Sequence, residues 1–130
     1  MEQVLNFLRD AGVYYLATAD GDQPHVRPIG FVMDWNGKPA FCTGNKKDMC
    51  RQLAANPKVE ICAYHDSKAI RICGKAVFVT SPESQAKALE VMPALGKIYS
   101  VGDGIFEIFC LEDVKACFSD MLGNKQEIEL

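Results

Sequence analysis

The sequence predicts a mainly β fold: a small antiparallel β-barrel with about three short helices packed outside it. Six or seven β-rich segments are separated by turn signals and connected mostly as hairpins, whereas about three segments have helical periodicity. Strands do not alternate with helices as in a βαβ unit, and the glycine-rich motifs of nucleotide phosphate loops are absent. A chain of 130 residues can bury one core, so we expect residues 1–130 to form a single domain.

The chain begins with a predicted amphipathic helix over residues 2–11. Its apolar side chains fall on one face, and Gly12 can end it. The next segment, residues 13–19 (VYYLATA), is rich in β-forming residues and is followed by the turn signal Asp20-Gly21. We therefore expect the first strand directly after the helix.

Two more strands and a second helix are predicted next. The strands cover residues 25–34 and 38–43, and Asn36-Gly37 between them is the strongest hairpin signal in the chain. The second helix is predicted over about residues 46–55, because Asn56-Pro57 opposes its continuation.

A long hairpin and a third helix follow. Residues 58–65 alternate between apolar and polar side chains, and residues 69–80 form a long predicted strand in which Gly74 indicates a bend or bulge. Ser81-Pro82-Glu83 is typical of a helix start, since serine caps the end and proline suits the first helical position. This helix is expected to reach about Val91.

The remaining segment is predicted to be irregular and then β-rich. Residues 96–104 have no clear pattern, and two strands are predicted over residues 105–111 and 114–119. The tail is expected to be loose, with a short final strand at residues 127–130.

Charge and cysteine usage exclude several classes of protein. The net charge of −3 and the pI of about 5.3 oppose nucleic-acid binding and a polybasic membrane anchor, and no apolar run reaches membrane-spanning length. The six cysteines form no C-x-x-C pair or zinc pattern, and two histidines are too few for a metal site, so no metal is expected. Residues 1–3 lack the order of a signal peptide, so we expect a reducing cytoplasm, with a disulfide-stapled secreted domain as the alternative.

The segment Thr43–Lys47 (TGNKK) is the strongest candidate for a binding site. It opens a predicted helix, which places Lys46 and Lys47 in the first helical turn. The helix macrodipole is already positive there, so two lysines are unfavourable unless an anion shares the site. Free N–H groups, a hydroxyl and two ammonium groups would form a phosphate cradle. The alternative is a pair of solvated lysines whose charge Asp48 offsets.

Arg27 is predicted to contribute to the same site. In a hairpin of the second and third strands, Arg27 and Thr43 would lie toward the same end, and a guanidinium suits phosphate. The alternative is an ordinary surface arginine. Pro28 lacks an N–H, which predicts either an edge strand or a strand lying against a ligand, and Gly30 permits a close approach to the backbone.

No set of side chains in the sequence forms a recognisable catalytic centre. There is no Ser/His/Asp set, no cysteine with an evident base and no distinctive carboxylate pair, and the apolar neighbours of Cys42 predict a core position. If the protein is an enzyme, a cofactor is therefore expected to carry the reaction.

Five motifs in order resemble a known family. They are YLAT at 15–18, HVRPIG at 25–30, FCTGNKK at 41–47, QLAANPKV at 52–59 and IRICGKA at 70–76. Their order and spacing resemble the pyridoxamine 5′-phosphate oxidase-like family of FMN-binding split barrels, and most closely its short, single-domain bacterial members. The resemblance covers nearly the whole chain.

The resemblance implies a six-stranded antiparallel split barrel that forms a homodimer, with FMN in clefts between the subunits. It implies that the arginine binds the FMN phosphate, that the Pro-Ile-Gly backbone lines the isoalloxazine ring, and that the threonine and following lysines complete the phosphate site. The positions in this sequence that would bind FMN are Arg27, Pro28, Ile29, Gly30, Thr43, Lys46 and Lys47.

Two departures from the family pattern refine this expectation. Counting from Thr43 places Asp48 and Met49 where the longer oxidases carry a basic pair, so Lys46 or Lys47 would substitute from the preceding turn. The longer oxidases also carry a C-terminal Arg-x-His substrate motif, which these 130 residues lack. We therefore expect a function other than pyridoxamine phosphate oxidation.

The expected function is that of an FMN-dependent oxidoreductase, which takes electrons from NADH, NADPH or another donor and passes them to an unidentified acceptor. One alternative is a non-catalytic flavin sensor or store. Another is a relative that binds haem or deazaflavin in place of FMN. An oligonucleotide-binding small barrel is disfavoured by the acidic charge.

Overall fold

A computed structural model describes all 130 residues and contains three α-helices and eight strands. The helices are α1 (Glu2–Ala11), α2 (Asp48–Ala55) and α3 (Pro82–Val91), with a 3₁₀ helix at Pro93–Lys97. The strands are β1 (Tyr14–Asp20), β2 (Gln23–Ile29), β3 (Met33–Trp35), β4 (Lys38–Gly44), β5 (Lys58–His65), β6 (Lys68–Phe78), β7 (Phe106–Asp120) and β8 (Lys125–Glu129).

All strands belong to one antiparallel sheet that curls into a split barrel. The strand order is β2-β1-β5-β6-β7-β4-β3, and β8 pairs with the far half of β7. The two ends of this order are not hydrogen-bonded to each other, so a seam remains between β2 on one side and β4 with β3 on the other. The predicted mainly β barrel with three outer helices is confirmed.

Two hydrophobic cores lie on opposite faces of the sheet. The larger, of 20 buried residues, fills the barrel and receives Val4, Leu5 and Leu8 from α1. The smaller, of eight buried residues, lies between the outer face of the sheet and α3 with the 3₁₀ helix. Alternate residues of β4 pack into the two cores: Phe41 lies in the larger core and Ala40 in the smaller one.

Local sequence signals determine several element boundaries as predicted. Asn36 and Gly37 both have positive φ, 52° and 82°, as the tight hairpin turn requires. Ser81 and Ser84 form a reciprocal capping box at the start of α3, with N–O distances of 2.9 and 3.0 Å. Gly74 lies at a bulge between β6 and β7, where an added Cβ would lie 3.2 Å from the carbonyl oxygen of Glu112.

The prediction of one strand over residues 25–34 is wrong. β2 ends at Ile29 and pairs with β1, whereas β3 begins at Met33 and pairs with β4. Phe31 packs in the smaller core and Val32 in the larger one. The chain therefore crosses between the two cores at this point and cannot continue as one strand.

The strand count of eight exceeds the six that the family resemblance implies. Residues 105–111 and 114–119, predicted as separate strands, are continuous in β7. Asp113, at a φ of 52°, accommodates the bulge opposite Gly74, between the two segments that were predicted as separate strands. β3 and the terminal β8 are the additional short strands. The predicted short final strand is present, but it covers Lys125–Glu129 rather than residues 127–130. No helix in the structure is both long and apolar enough to span a lipid bilayer.

Candidate functional site

Helix α2 covers the seam of the barrel and contacts both β1 and β4. Its buried face consists of Met49, Gln52 and Leu53, which follow the i, i+3, i+4 spacing of one helix face. Gln52 is thus a polar side chain on an otherwise apolar face, and it is only 3% exposed. A buried amide needs hydrogen-bond partners, and it finds them at the seam.

A cleft of about 360 Å³ opens at the seam between β2, β4 and the start of α2. Five of the seven sequence-predicted site residues line it: Arg27, Pro28, Ile29, Thr43 and Lys47. The other lining residues are His25, Val26, Cys42, Asp48, Met49 and Gln52. The structure therefore brings together segments of β2 and β4 that are not paired in the sheet, across the seam rather than within the predicted hairpin.

Arg27 extends from β2 into the barrel side of the seam, where it is held entirely by neutral acceptors. Its Nη1 donates to the Leu16 carbonyl at 3.2 Å and to Thr18 Oγ1 at 2.8 Å, and its Nη2 donates to Gln52 Oε1 at 2.7 Å. No carboxylate forms a salt bridge with it. Partial burial lowers the pKa of the guanidinium, an effect that the nearby Asp48 opposes. An arginine remains charged at neutral pH, so the cleft contains a cation that no carboxylate contacts directly.

Thr43 lies in the cleft wall opposite Arg27 and is 2% exposed. Its Oγ1 is buried and has no hydrogen-bond partner. A buried hydroxyl without a partner costs about 1–3 kcal/mol, so such groups are usually paired. An unpaired hydroxyl at the wall of a cationic cleft fits a site that is completed by an anionic ligand.

The predicted helical position of the two lysines is wrong. Helix α2 begins at Asp48, and Lys47 is its N-cap residue with extended backbone angles of −85° and 148°. The N–H of Lys47 donates to the Gly44 carbonyl at 3.0 Å, which closes a tight turn and prevents an earlier helix start. Asp48 is therefore the first-turn residue, as the macrodipole favours.

The lysines nevertheless differ in their relation to the cleft. Lys47 lines it, whereas Lys46 lies in the exposed turn and does not. No side chain caps the N-terminus of α2, so the first-turn N–H groups of the helix are left without a side-chain acceptor. An ammonium group, a guanidinium, a free hydroxyl and an uncapped helix start thus converge on one cleft.

Pro28 and Ile29 form the outer rim of the cleft. Pro28 lies on the terminal strand β2 opposite Tyr15, which fits the predicted edge position for a residue without an N–H. Gly30 does not line the cleft, and the close approach to its backbone is made by another part of the same chain. An added Cβ on Gly30 would lie 3.3 Å from the carbonyl oxygen of Gly12.

Cys42 and His25 are the remaining chemically interesting side chains in the cleft. Burial raises the pKa of the Cys42 thiol to about 11, so it stays protonated at neutral pH and is a poor nucleophile. Cys42 is partly buried and packs against the smaller core, whereas a core position was predicted. The structure has no group of three or more His, Cys, Asp and Glu side chains arranged to hold a metal ion.

Thr18 and Gln52 are site residues that the sequence analysis missed. Thr18 Oγ1 donates to Gln52 Oε1 at 2.6 Å, and both oxygens accept from Arg27. The available signal was Gln52 at an apolar-face position of α2, flanked in the helical pattern by Met49 and Leu53. Its partner Thr18 has no distinguishing mark in the sequence, because a threonine in a strand is ordinary.

These features define a small split-barrel protein with a cleft at its seam that is lined by a guanidinium, an ammonium group and an unpaired hydroxyl. The chain belongs to the pyridoxamine 5′-phosphate oxidase family, whose sequence pattern matches residues 1–104. No curated protein sequence is significantly similar to the chain.

Solved structures agree with this assignment. A NimC/NimA family protein from Clostridium acetobutylicum is 37% identical to this chain and superposes on it with a TM-score of 0.96. The matched region covers 100% of this chain and 92% of the other protein.

More distant structures share the fold alone. A pyridoxamine 5′-phosphate oxidase-related, FMN-binding protein from Nostoc punctiforme is 14% identical, with a TM-score of 0.62 over 98% of this chain and 95% of its own. A haem-binding protein from Mycobacterium smegmatis is 18% identical, with a TM-score of 0.72 over 94% of this chain and 57% of its own. Proteins of this fold therefore carry names that refer to two different prosthetic groups.

Proposed function

We propose that the protein binds FMN through its phosphate in the seam cleft and acts as a flavin-dependent oxidoreductase. The observation that carries this proposal is the pairing of Arg27, a cation without a carboxylate partner, with Thr43, a buried hydroxyl without any partner, across one cleft. Phosphate accepts several hydrogen bonds and carries negative charge, so it would satisfy both groups at once.

Each cleft residue has a distinct role in this proposal. Arg27 and Lys47 supply positive charge, Thr43 supplies a hydroxyl, and the start of α2 supplies N–H groups. The backbone of Pro28 and Ile29 borders the ring of the cofactor at the outer rim. FMN, when bound, supplies the hydride and electron chemistry, while the protein binds it, orients it and limits access of water.

We propose that a second copy of the chain completes the site. The cleft volume of about 360 Å³ is near the lower end for small-molecule pockets, about 300–1,000 Å³. The outer sheet face next to the cleft is apolar, and its exposed residues, which we call the apolar face, are Val13, Tyr15, Val26, Pro28 and Tyr64. Val26 and Pro28 belong to both the cleft and the apolar face, so a partner on this face would also cover the flavin ring.

The proposed cellular setting is the cytoplasm. All six cysteines are free thiols, and those on the outer sheet face, Cys62 and Cys73, are exposed. Free exposed thiols favour a reducing compartment.

The electron donor and the catalytic role can be tested together. An oxidoreductase would be reduced by NADH or NADPH under anaerobic conditions faster than free FMN at the same concentration. A flavin sensor or store would bind FMN but show no such acceleration. Equal rates for the protein and free FMN with both nucleotides would reject nicotinamide-dependent catalysis and favour the sensor.

Haem or deazaflavin is the second candidate ligand. His25 lines the cleft and is the side chain there that would bind a haem iron, and the protein from Mycobacterium smegmatis that shares the fold is a haem-binding protein. FMN is favoured because the cleft provides phosphate-binding groups. Titration with FMN, haemin and a deazaflavin, followed by absorbance and tryptophan fluorescence, separates these ligands.

A further inference from the structure

The hydrogen bonds of Arg27 leave one particular edge of its guanidinium free. A guanidinium has five N–H donors, and three of them are used: both on Nη1, for Leu16 and Thr18, and one on Nη2, for Gln52. The Nε–H and the second Nη2–H have no partner in the protein. These two donors share one side of the planar group, which is an edge that can bind two oxygens of a phosphate or carboxylate at once.

Thr18 and Gln52, which accept hydrogen bonds from Arg27, are also hydrogen-bonded to each other. Thr18 Oγ1 and Gln52 Oε1 are 2.6 Å apart and take adjacent N–H groups at the end of the guanidinium. Both side chains are almost fully buried, at 4% and 3% exposure, and come from different elements, β1 and α2. The end of the guanidinium is therefore fixed by two rigid parts of the fold.

The groups that accept hydrogen bonds from Arg27 are neutral. A buried arginine is commonly paired with a carboxylate, which would cancel the charge available to a ligand. Here a hydroxyl, an amide oxygen and a backbone carbonyl orient the group without neutralising it. Orientation and charge are thus both retained for an incoming anion.

We propose that Thr18 and Gln52 are positioning residues that hold Arg27 so that its free Nε/Nη2 edge faces the cleft, and that they thereby determine the preference of the site for a phosphorylated flavin over an unphosphorylated one. This inference rests on the proposed FMN function. It adds that phosphate recognition depends on two residues that do not themselves contact the phosphate.

The test compares FMN with riboflavin, which lacks the phosphate. The variants are Thr18→Val, which removes the hydroxyl at nearly constant shape, and Thr18→Ser, which retains it. We expect Thr18→Val to weaken FMN binding about tenfold or more and to leave riboflavin binding unchanged, whereas Thr18→Ser keeps the wild-type preference. A purely structural role would weaken both ligands equally or neither.

Gln52→Glu provides a second test with little change in size. The new carboxylate would pair with Arg27 and neutralise the cation, so we expect loss of the FMN preference in a protein that still folds. Inorganic phosphate is a flavin-free probe: it should raise the melting temperature of the wild-type protein and fail to do so in Gln52→Glu and Thr18→Val. Thermal unfolding of each variant without phosphate verifies that it folds.

The outcomes separate this inference from the proposal on which it rests. Equal affinity of the wild-type protein for FMN and riboflavin would overturn the phosphate site itself. A wild-type preference that Arg27→Ala abolishes but Thr18→Val and Gln52→Glu retain would overturn only the positioning role.

Discussion

Arg27 and Thr43 face one cleft from opposite sides of the seam, and neither is satisfied by the protein alone. The arginine lacks a counter-charge, and the threonine hydroxyl lacks any hydrogen bond. The unpaired Thr43 hydroxyl costs folding free energy, since a buried polar group is stable when it is paired. This cost, beside an arginine that has no counter-charge, is understandable if the fold is adapted to a bound anion.

Replacing Arg27 with alanine tests the cationic side of the site. We expect FMN affinity to fall by about 1.5–3 kcal/mol, the scale of a hydrogen bond to a charged group. Isothermal titration measures the change. Arg9→Ala is the matched control, because that arginine is exposed on α1 and does not line the cleft. Equal affinity of the wild type and Arg27→Ala would place the phosphate elsewhere.

Replacing Thr43 with valine should have opposite effects on stability and binding. Removal of the unpaired hydroxyl should leave the free energy of unfolding unchanged or raise it by up to about 1 kcal/mol. FMN affinity should fall by about 0.5–1.5 kcal/mol, because one hydrogen bond to the phosphate is lost. Urea unfolding and titration measure the two quantities, and a marked loss of stability without ligand would show that the hydroxyl has a structural partner.

At the scale of elements, the bulge between β6 and β7 keeps two long strands paired despite an extra residue. Gly74 lies opposite the extra residue, with the carbonyl of Glu112 and the side chain of Leu111 close to where a Cβ would lie. The bulge bends the sheet and so contributes to the curvature of the barrel. The space for a side chain at this position is limited by backbone atoms, which cannot move easily.

Gly74→Ala should therefore destabilise the fold. An added Cβ would lie 3.2 Å from the Glu112 carbonyl oxygen, and we expect a loss of about 1–3 kcal/mol. Gly96→Ala is the control, since a Cβ there would meet no atom within 4 Å. Chemical denaturation compares the two variants. Equal stability of both would mean that the bulge relaxes without cost.

Element boundaries could be predicted where the signal is local. Asn36-Gly37 adopts the expected turn, and Ser81 caps α3, because these conformations depend on a few adjacent residues. The strand predicted over residues 25–34 failed because the two cores attract Phe31 and Val32 to opposite faces, which is a tertiary effect. The helix start at Lys46 failed because the Gly44–Lys47 turn competes with the first helical turn.

The candidate site was predictable to a similar extent. The sequence indicated Arg27, Thr43 and Lys47, and all three line the cleft. Thr18 and Gln52 were not predicted, since their role depends on the packing of α2 across the seam.

At the scale of the whole molecule, a single chain leaves the cleft at the seam open and the apolar face exposed. The cleft opens beside the apolar face, where Val26 is 67% exposed and Tyr15 and Tyr64 are also exposed. A contiguous exposed apolar surface on a folded protein usually marks an interaction site. A second copy would bury this surface and close the cleft, which is the homodimer proposed above.

Val26→Asp tests this arrangement. A charge on the apolar face should weaken a dimer at least about tenfold, because an unpaired charge at an interface is costly to bury. Ile98→Asp is the matched control, since Ile98 is 66% exposed but lies after the 3₁₀ helix. Sedimentation equilibrium measures the dissociation constant. A monomeric wild type, or two variants with the same constant, would contradict the shared-cleft arrangement.

The most direct test of the central claim is the absorbance spectrum of the protein after incubation with FMN and removal of unbound ligand. The account predicts that the wild-type protein keeps the two flavin absorption bands and that Arg27→Ala loses them under the same washing. A protein that is colourless after purification and stays colourless after incubation with FMN would contradict the account, as would a haem spectrum in the protein as purified.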